Sequence, residues 1–108
     1  YDTLLTFDSQ NATPASAVQT DYASFMRMGD LVIVNMNFQL SSTVSTNGIL
    51  YSDIPYKPKQ NTRGIILGAS GTNPWCVNVK TDKTITILDR NIPTGWYNGT
   101  IVYFVDNT

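Results

Sequence analysis

The chain contains no histidine. That removes Ser-His-Asp and Cys-His nucleophile systems, His-tuned general bases and His-ligated metal sites. Asp82 and Asp89 remain as a carboxylate pair of the kind glycoside cleavage uses, one as acid and the other as base or nucleophile. One borders a turn and the other a strand end, both ordinary places for a solvated aspartate. All eight acidic residues are Asp, and they are scattered rather than spaced as a calcium loop. There is no Gly-rich phosphate loop opening a helix. The expectation is a protein with no catalytic residue, no metal and no cofactor, and so not an enzyme.

What the residues do offer is the chemistry that holds sugars. Aromatic faces stack on the C–H side of a pyranose, while amides, carboxylates and Arg reach neighbouring hydroxyls across a concave lining. The mixture occurs twice, at Asn73–Asn78 around Trp75 and at Asp89–Asn98 with Arg90, Trp96 and Tyr97. The candidate saccharide-binding residues are therefore Trp75, Asp82, Asp89, Arg90, Trp96, Tyr97 and Asn98. Trp75 also shares a face with Val77 and Val79, which makes a core position the stronger reading for it. Trp96 and Tyr97 sit beside Gly95 and Gly99, and a loop packed over a barrel end accounts for them as well as binding does. Tyr51 and Tyr56 flank Pro55 and are placed at a subunit interface. The single cysteine, Cys76, excludes an intrachain disulfide and reads as a small buried residue in a strand, with only Lys80 nearby to activate a thiolate. Asn11-Ala12-Thr13 and Asn98-Gly99-Thr100 match the glycosylation sequon, a frequent chance match.

The elements that would position these residues are strands. Thr, Asn, Ser, Val and Ile abound while Glu is absent, so strand and turn formers outweigh helix formers. The clearest segment is Asp30–Leu40, where Val32, Val34, Met36, Phe38 and Leu40 alternate onto one face. Its other face changes from Leu31 and Ile33 to Asn35, Asn37 and Gln39, as in a strand that leaves a covered surface for water. Tyr22–Met28 precedes it across a Gly29-Asp30 hairpin. Asn47-Gly48 marks a turn before Ile49–Ile54, which Pro55 halts. Ile65-Ile66-Leu67 reads as a strand buried on both sides. Trp75–Lys80 and Thr84–Leu88 form a hairpin over Thr81-Asp82-Lys83. Asp89–Gly99 reads as a long loop and Thr100–Val105 as a last strand apolar on both faces. Tyr1–Asp8 holds a short strand at best, and Ser9–Thr20 an extended connection around Pro14. The fold expected is all-β, a compact antiparallel barrel or sandwich of about seven short strands.

At 108 residues the chain is one domain, able to bury roughly two-thirds of its unfolded surface. It starts without Met and is expected to be a fragment of a longer protein. A net charge of −1 without a basic block argues against nucleic acid as a partner. No apolar run approaches the roughly 20 residues of a membrane-spanning helix, so no membrane insertion is expected.

The hairpin Tyr22-Ala-Ser-Phe-Met-Arg-Met-Gly-Asp-Leu-Val-Ile-Val-Asn-Met resembles the opening of C-terminal head domains of phage tail and baseplate receptor-binding proteins. Three later features are similar in kind: the apolar run closed by prolines at Leu50–Pro58, the paired strands Trp75–Leu88, and a terminal strand after a Gly-rich loop, Gly99–Val105. The nearest likeness is to the heads of lactococcal siphophages, over roughly Tyr22–Asp106. The resemblance implies a Greek-key-like head spanning residues 1–108, with 1–21 as an extended lead-in segment, assembling as a homotrimer. It implies a place in the virion at the tail tip or baseplate, contact with other baseplate proteins through a missing N-terminal region, and attachment to host cell-wall polysaccharide. The half-apolar face of Leu31 and Ile33 and the doubly apolar last strand independently favour an assembly that covers them, unless both strands are central in a two-sheet sandwich and buried within one chain. Two other readings stay open: a structural tail module that binds protein, and a carbohydrate-binding module of a bacterial glycosidase.

Overall fold

A computed structural model describes residues 6–8, 12–21, 23–68 and 74–106. The expectations placed on Tyr1–Leu5, on the Asn11 sequon, on Tyr22 and on the loop before Pro74 lie outside the described residues. Within them the chain is all-β, with ten strands rather than about seven and no helix. Among the described residues no helix is long and apolar enough to cross a membrane.

The strands are β1 Thr6–Asp8, β2 Thr13–Pro14, β3 Val18–Asp21, β4 Ser24–Met28, β5 Leu31–Leu40, β6 Ile49–Ser52, β7 Thr62–Gly68, β8 Pro74–Val79, β9 Ile85–Ile87 and β10 Gly95–Phe104. They form one antiparallel sheet in the order β1-β4-β5-β10-β7-β8-β9-β6-β2, with β3 also paired to β5. The run β10-β7-β8-β9 is a Greek key: three strands joined in sequence, and a fourth that returns beside the first. Of the connection predicted over Ser9–Thr20, the described part from Ala12 onward holds two strands instead. β2 pairs with β6 at one margin of the sheet, and β3 pairs with β5 towards the other. This short segment therefore bridges the two sides and brings the sheet close to a closed barrel. Its polar, Pro-containing sequence hides that role, because β-ladder pairing at a margin needs backbone groups and little apolar patterning.

β5 is the strand the periodicity describes. Val32, Val34, Met36, Phe38 and Leu40 are buried, and Asn35 and Asn37 are exposed. Gly29 makes the turn into it with φ of 61°, the left-handed first position of a two-residue hairpin. The longest ladder pairs all ten residues of β5 with β10, from Leu40 opposite Gly95 to Leu31 opposite Phe104. Inward residues of these two strands meet Leu50, Tyr51, Ile66, Trp75, Val77, Val79, Ile85 and Ile87 in one core. Tyr51, expected at a subunit interface, is fully buried in that core, edge-on to Phe38 at 6.0 Å between ring centroids. Thr86 is buried as well, so β9 is covered on both faces where β6 and β8 flank it.

Two other expectations change. β10 begins at Gly95, so the loop after β9 is short and Trp96, Tyr97 and Asn98 belong to a strand. The alternation in Trp96–Asn98 is masked in sequence by the glycines on either side. β7 is covered on one face only: Ile66 is fully buried, whereas Ile65 and Leu67 are 55% and 49% exposed. The outward residues of β10 are exposed in the same way, Val102 at 48% and Phe104 at 62%.

β7 and β10 approach closely through a reciprocal pair of glycines. Both Gly64 and Gly99 lie on inward positions. A Cβ on Gly99 would lie 2.6 Å from the Ile65 carbonyl oxygen and 3.0 Å from the Ile66 side chain, and a Cβ on Gly64 would collide with the Ile101 side chain. Each glycine is the gap that receives the other strand's isoleucine, which lets the barrel wall bend where ladder pairing of β7 and β10 stops after two residues.

Candidate functional site

The structure gathers four of the seven predicted residues, Trp75, Asp89, Arg90 and Tyr97, at the barrel end where β8 begins. The Trp75 indole N–H donates to the Asn91 carbonyl at 3.1 Å, and its ring meets Tyr97 edge-on at 5.4 Å. Arg90 lays its guanidinium over the Trp75 ring at 4.5 Å and donates to the Pro74 carbonyl at 2.8 Å and to Asp89 at 3.2 Å. Asp89 in turn accepts the Cys76 backbone N–H at 3.3 Å. Tyr97 stacks on Phe38 at 5.8 Å and donates its hydroxyl to the Pro93 carbonyl at 2.7 Å. Burial raises the Tyr97 hydroxyl above its ordinary pKa.

Almost every polar group of this cluster is committed to backbone of the loop between β9 and β10 or to the start of β8. The same loop is fixed again by the Val44–Ile92 bridge and by Asn91, whose side-chain oxygen accepts the Thr46 N–H at 2.9 Å. The arrangement plugs the barrel end and holds a loop. Trp75 is 9% exposed, in keeping with the core reading.

Asp82 is elsewhere. It occupies the β8–β9 turn, where it accepts the Thr84 hydroxyl and lies 3.7 Å from the Lys80 ammonium. The Thr84 hydrogen bond, foremost, holds its carboxyl below the usual value. Asp89 contacts Cys76 at the other end of the hairpin. Four residue steps along the chain lead from Cys76 to Lys80, which puts the two carboxylates roughly 13 Å apart at about 3.3 Å per residue. Paired acid–base or nucleophilic work needs about 5–9.5 Å, and the hairpin does not bring them together. Lys83 closes this turn with φ of 70°, a conformation that the missing glycine would have supplied more cheaply.

Trp96 and Asn98 lie on the outer face of β10, turned away from Tyr97 by the strand period. Their cross-strand partners on β5 are Gln39 and Asn37, and the next rung pairs Thr100 with Asn35, whose side chains are 3.4 Å apart. This half of the face is an exposed indole followed by uncharged amides and a hydroxyl. The other half is apolar, with Val102 opposite Ile33 and Phe104 opposite Leu31. The change from oily to polar predicted for β5 alone is thus repeated on β10.

One concavity was not legible in the sequence. Beyond the end of β10, Asp30, Lys59, Gln60, Thr62, Phe104 and Asp106 border a cleft of about 530 Å³. It forms because the segment after Pro58 folds back on β10, with the Lys59 N–H donating to the Phe104 carbonyl at 2.8 Å and the Asp106 N–H to the Lys57 carbonyl at 2.9 Å. Lys57 and Asp106 also form an ion pair at 3.5 Å. The only sequence signal was the polar run Lys57-Pro58-Lys59-Gln60, which reads as a surface loop until the topology sets it beside an aromatic ring. Among the described residues no three Cys, Asp or Glu side chains converge as a metal site. No protein-family model matches the chain, and no curated protein sequence is significantly similar to it.

Proposed function

We propose that this domain is a non-enzymatic attachment head that binds saccharides of a bacterial cell wall, as the likeness of its hairpin and strand pattern to lactococcal siphophage receptor-binding heads implies. In that role it sits at the tail tip or baseplate of a virion, as a homotrimer joined to other baseplate proteins. The observation that carries the saccharide reading is the outer face of β5 and β10. There the Trp96 indole, 39% exposed, leads into the rungs Asn98–Asn37 and Thr100–Asn35. An aromatic plane beside uncharged donors and acceptors suits the C–H face and hydroxyls of a pyranose. Exposed, shallow contacts of this kind bind weakly one at a time, and copies on one particle compensate.

The test is binding of the purified domain to lactococcal cell-wall polysaccharide. Trp96→Ala and Asn98→Ala should each weaken binding at least severalfold with the far-ultraviolet circular dichroism unchanged. Trp75→Phe should leave binding as it was. Unaltered binding in both outer-face variants would show that the sugar lies elsewhere, and no binding by the parent domain would remove the function itself. A structural protein–protein module is the second reading, favoured by the exposure of Ile65 and Leu67 on β7. It predicts a protein complex and no saccharide binding.

A further inference from the structure

We infer that the ligand is an extended, uncharged glycan chain lying lengthwise along β10, and that the cleft at Phe104 is its second anchoring point. This rests on the saccharide reading and goes beyond it by fixing the length and charge of what is bound. Trp96 and Phe104 stand on the same face of one strand, eight residues apart. At about 3.4 Å per residue their rings are roughly 27 Å from each other. That is far longer than one sugar and suits a chain held at both ends.

The surface between the rings agrees in charge and chemistry. Outward positions of β10 from Trp96 to Phe104 are Asn98, Thr100 and Val102, and those of β5 are Gln39, Asn37, Asn35, Ile33 and Leu31. No charged side chain lies on this two-strand track, so it complements a neutral polymer and gives nothing to a polyanion. Amides and a hydroxyl serve sugar hydroxyls over the first half, and Val102 and Ile33 offer an apolar surface to ring C–H faces over the second. At the far end the track drops into the concavity where Asp30, Lys59, Gln60, Thr62 and Asp106, charges of both signs among uncharged groups, border the Phe104 ring, 62% exposed. A mixed set of donors and acceptors around an aromatic plane is what a terminal sugar unit needs. Two weak contacts joined by one polymer act together through effective concentration, with no new contact required.

Size-graded fragments of lactococcal cell-wall polysaccharide test this by calorimetry, from one and two sugars to chains of six or more. Affinity should rise about tenfold or more from the two-sugar to the longer fragments, the gain expected when a second site is linked. Phe104→Ser should abolish that gain and leave two-sugar binding at Trp96 within about twofold. Backbone amide signals from Trp96 to Phe104 should shift with the long fragment, and only those near Trp96 with the short one. Length-independent affinity, or a full gain retained in Phe104→Ser, overturns the lengthwise mode while leaving saccharide binding standing. A fall in solution mass caused by Phe104→Ser would make this face a protein interface and overturn it too. Failure of every fragment to bind overturns both proposals.

Discussion

Two tyrosines on β10 each pin a loop by a buried hydroxyl, Tyr97 to Pro93 and Tyr103 to the Tyr56 carbonyl at 2.7 Å. Tyr103→Phe keeps the ring and removes the donor, so it should destabilise the domain by about 1–3 kcal/mol in urea unfolding, the cost of a buried carbonyl left without its partner. The same residue sets an alkaline limit. Burial foremost, with the neighbouring Tyr56, raises the Tyr103 pKa well above that of a free tyrosine, and burial raises Tyr97 in the same direction. The folded state therefore holds these protons more tightly than the unfolded chain does. Their contribution is complete below about pH 10, where unfolded tyrosine titrates, and is lost as pH rises through the folded-state values. Thermal melts should show stability falling above pH 10, and the fall should be shallower in Tyr103→Phe. Arg90→Ala should cost about 1 kcal/mol, since a partly exposed cation over Trp75 contributes little more than that. It should leave glycan affinity unchanged. At this scale the residue types were legible in the sequence, and the face each one takes was not. Trp75 and Tyr97 point inward and plug the barrel, whereas Trp96, one position away, points out.

The reciprocal glycines set the bend of the barrel wall. Gly99→Ala would press a methyl group against the Ile65 carbonyl, and overpacking of that kind should cost about 1–3 kcal/mol. The expected signature is a lowered urea midpoint with amide shifts concentrated in β7 and β10. Lys83→Gly should act the other way, gaining about 0.5–1 kcal/mol by relieving a left-handed backbone at a residue with a side chain. A midpoint unchanged or lowered would show that the turn carries no such strain. Strands with a strict period of two and one buried face were legible: β5, β8 and β4 lie where alternation puts them. β2 and β3 were not, because their contribution is backbone pairing at the seam rather than an apolar pattern. The start of β10 was hidden by Gly95 and Gly99, which read as loop punctuation and serve instead as a strand opening and a close-packing gap. β7 looked doubly buried because three apolar residues in a row say nothing about how many layers a fold has.

For the whole molecule, the proposed trimer makes a clear prediction. The exposed Ile65 and Leu67 form a ridge on β7 that a partner chain would cover. Sedimentation should give about three times the chain mass of 12.0 kDa, and Ile65→Asp should reduce it to a single copy with the fold intact. A single-copy mass for the parent domain would favour the glycosidase-module reading. The sheet order was beyond sequence reasoning, since hairpins are local but the β5–β10 ladder joins residues more than fifty positions apart. That ladder has a consequence for biosynthesis. The strand that completes the middle of the sheet is the last of the ten to leave the ribosome, so a nascent chain that ends between β7 and β10 carries both β5 and β7 with a bare margin. Folding must then wait until nearly the whole domain has been made. A chain stalled before Gly95 would expose the surfaces most able to pair with a neighbouring copy, which makes chaperone dependence during translation an expected trait of this protein.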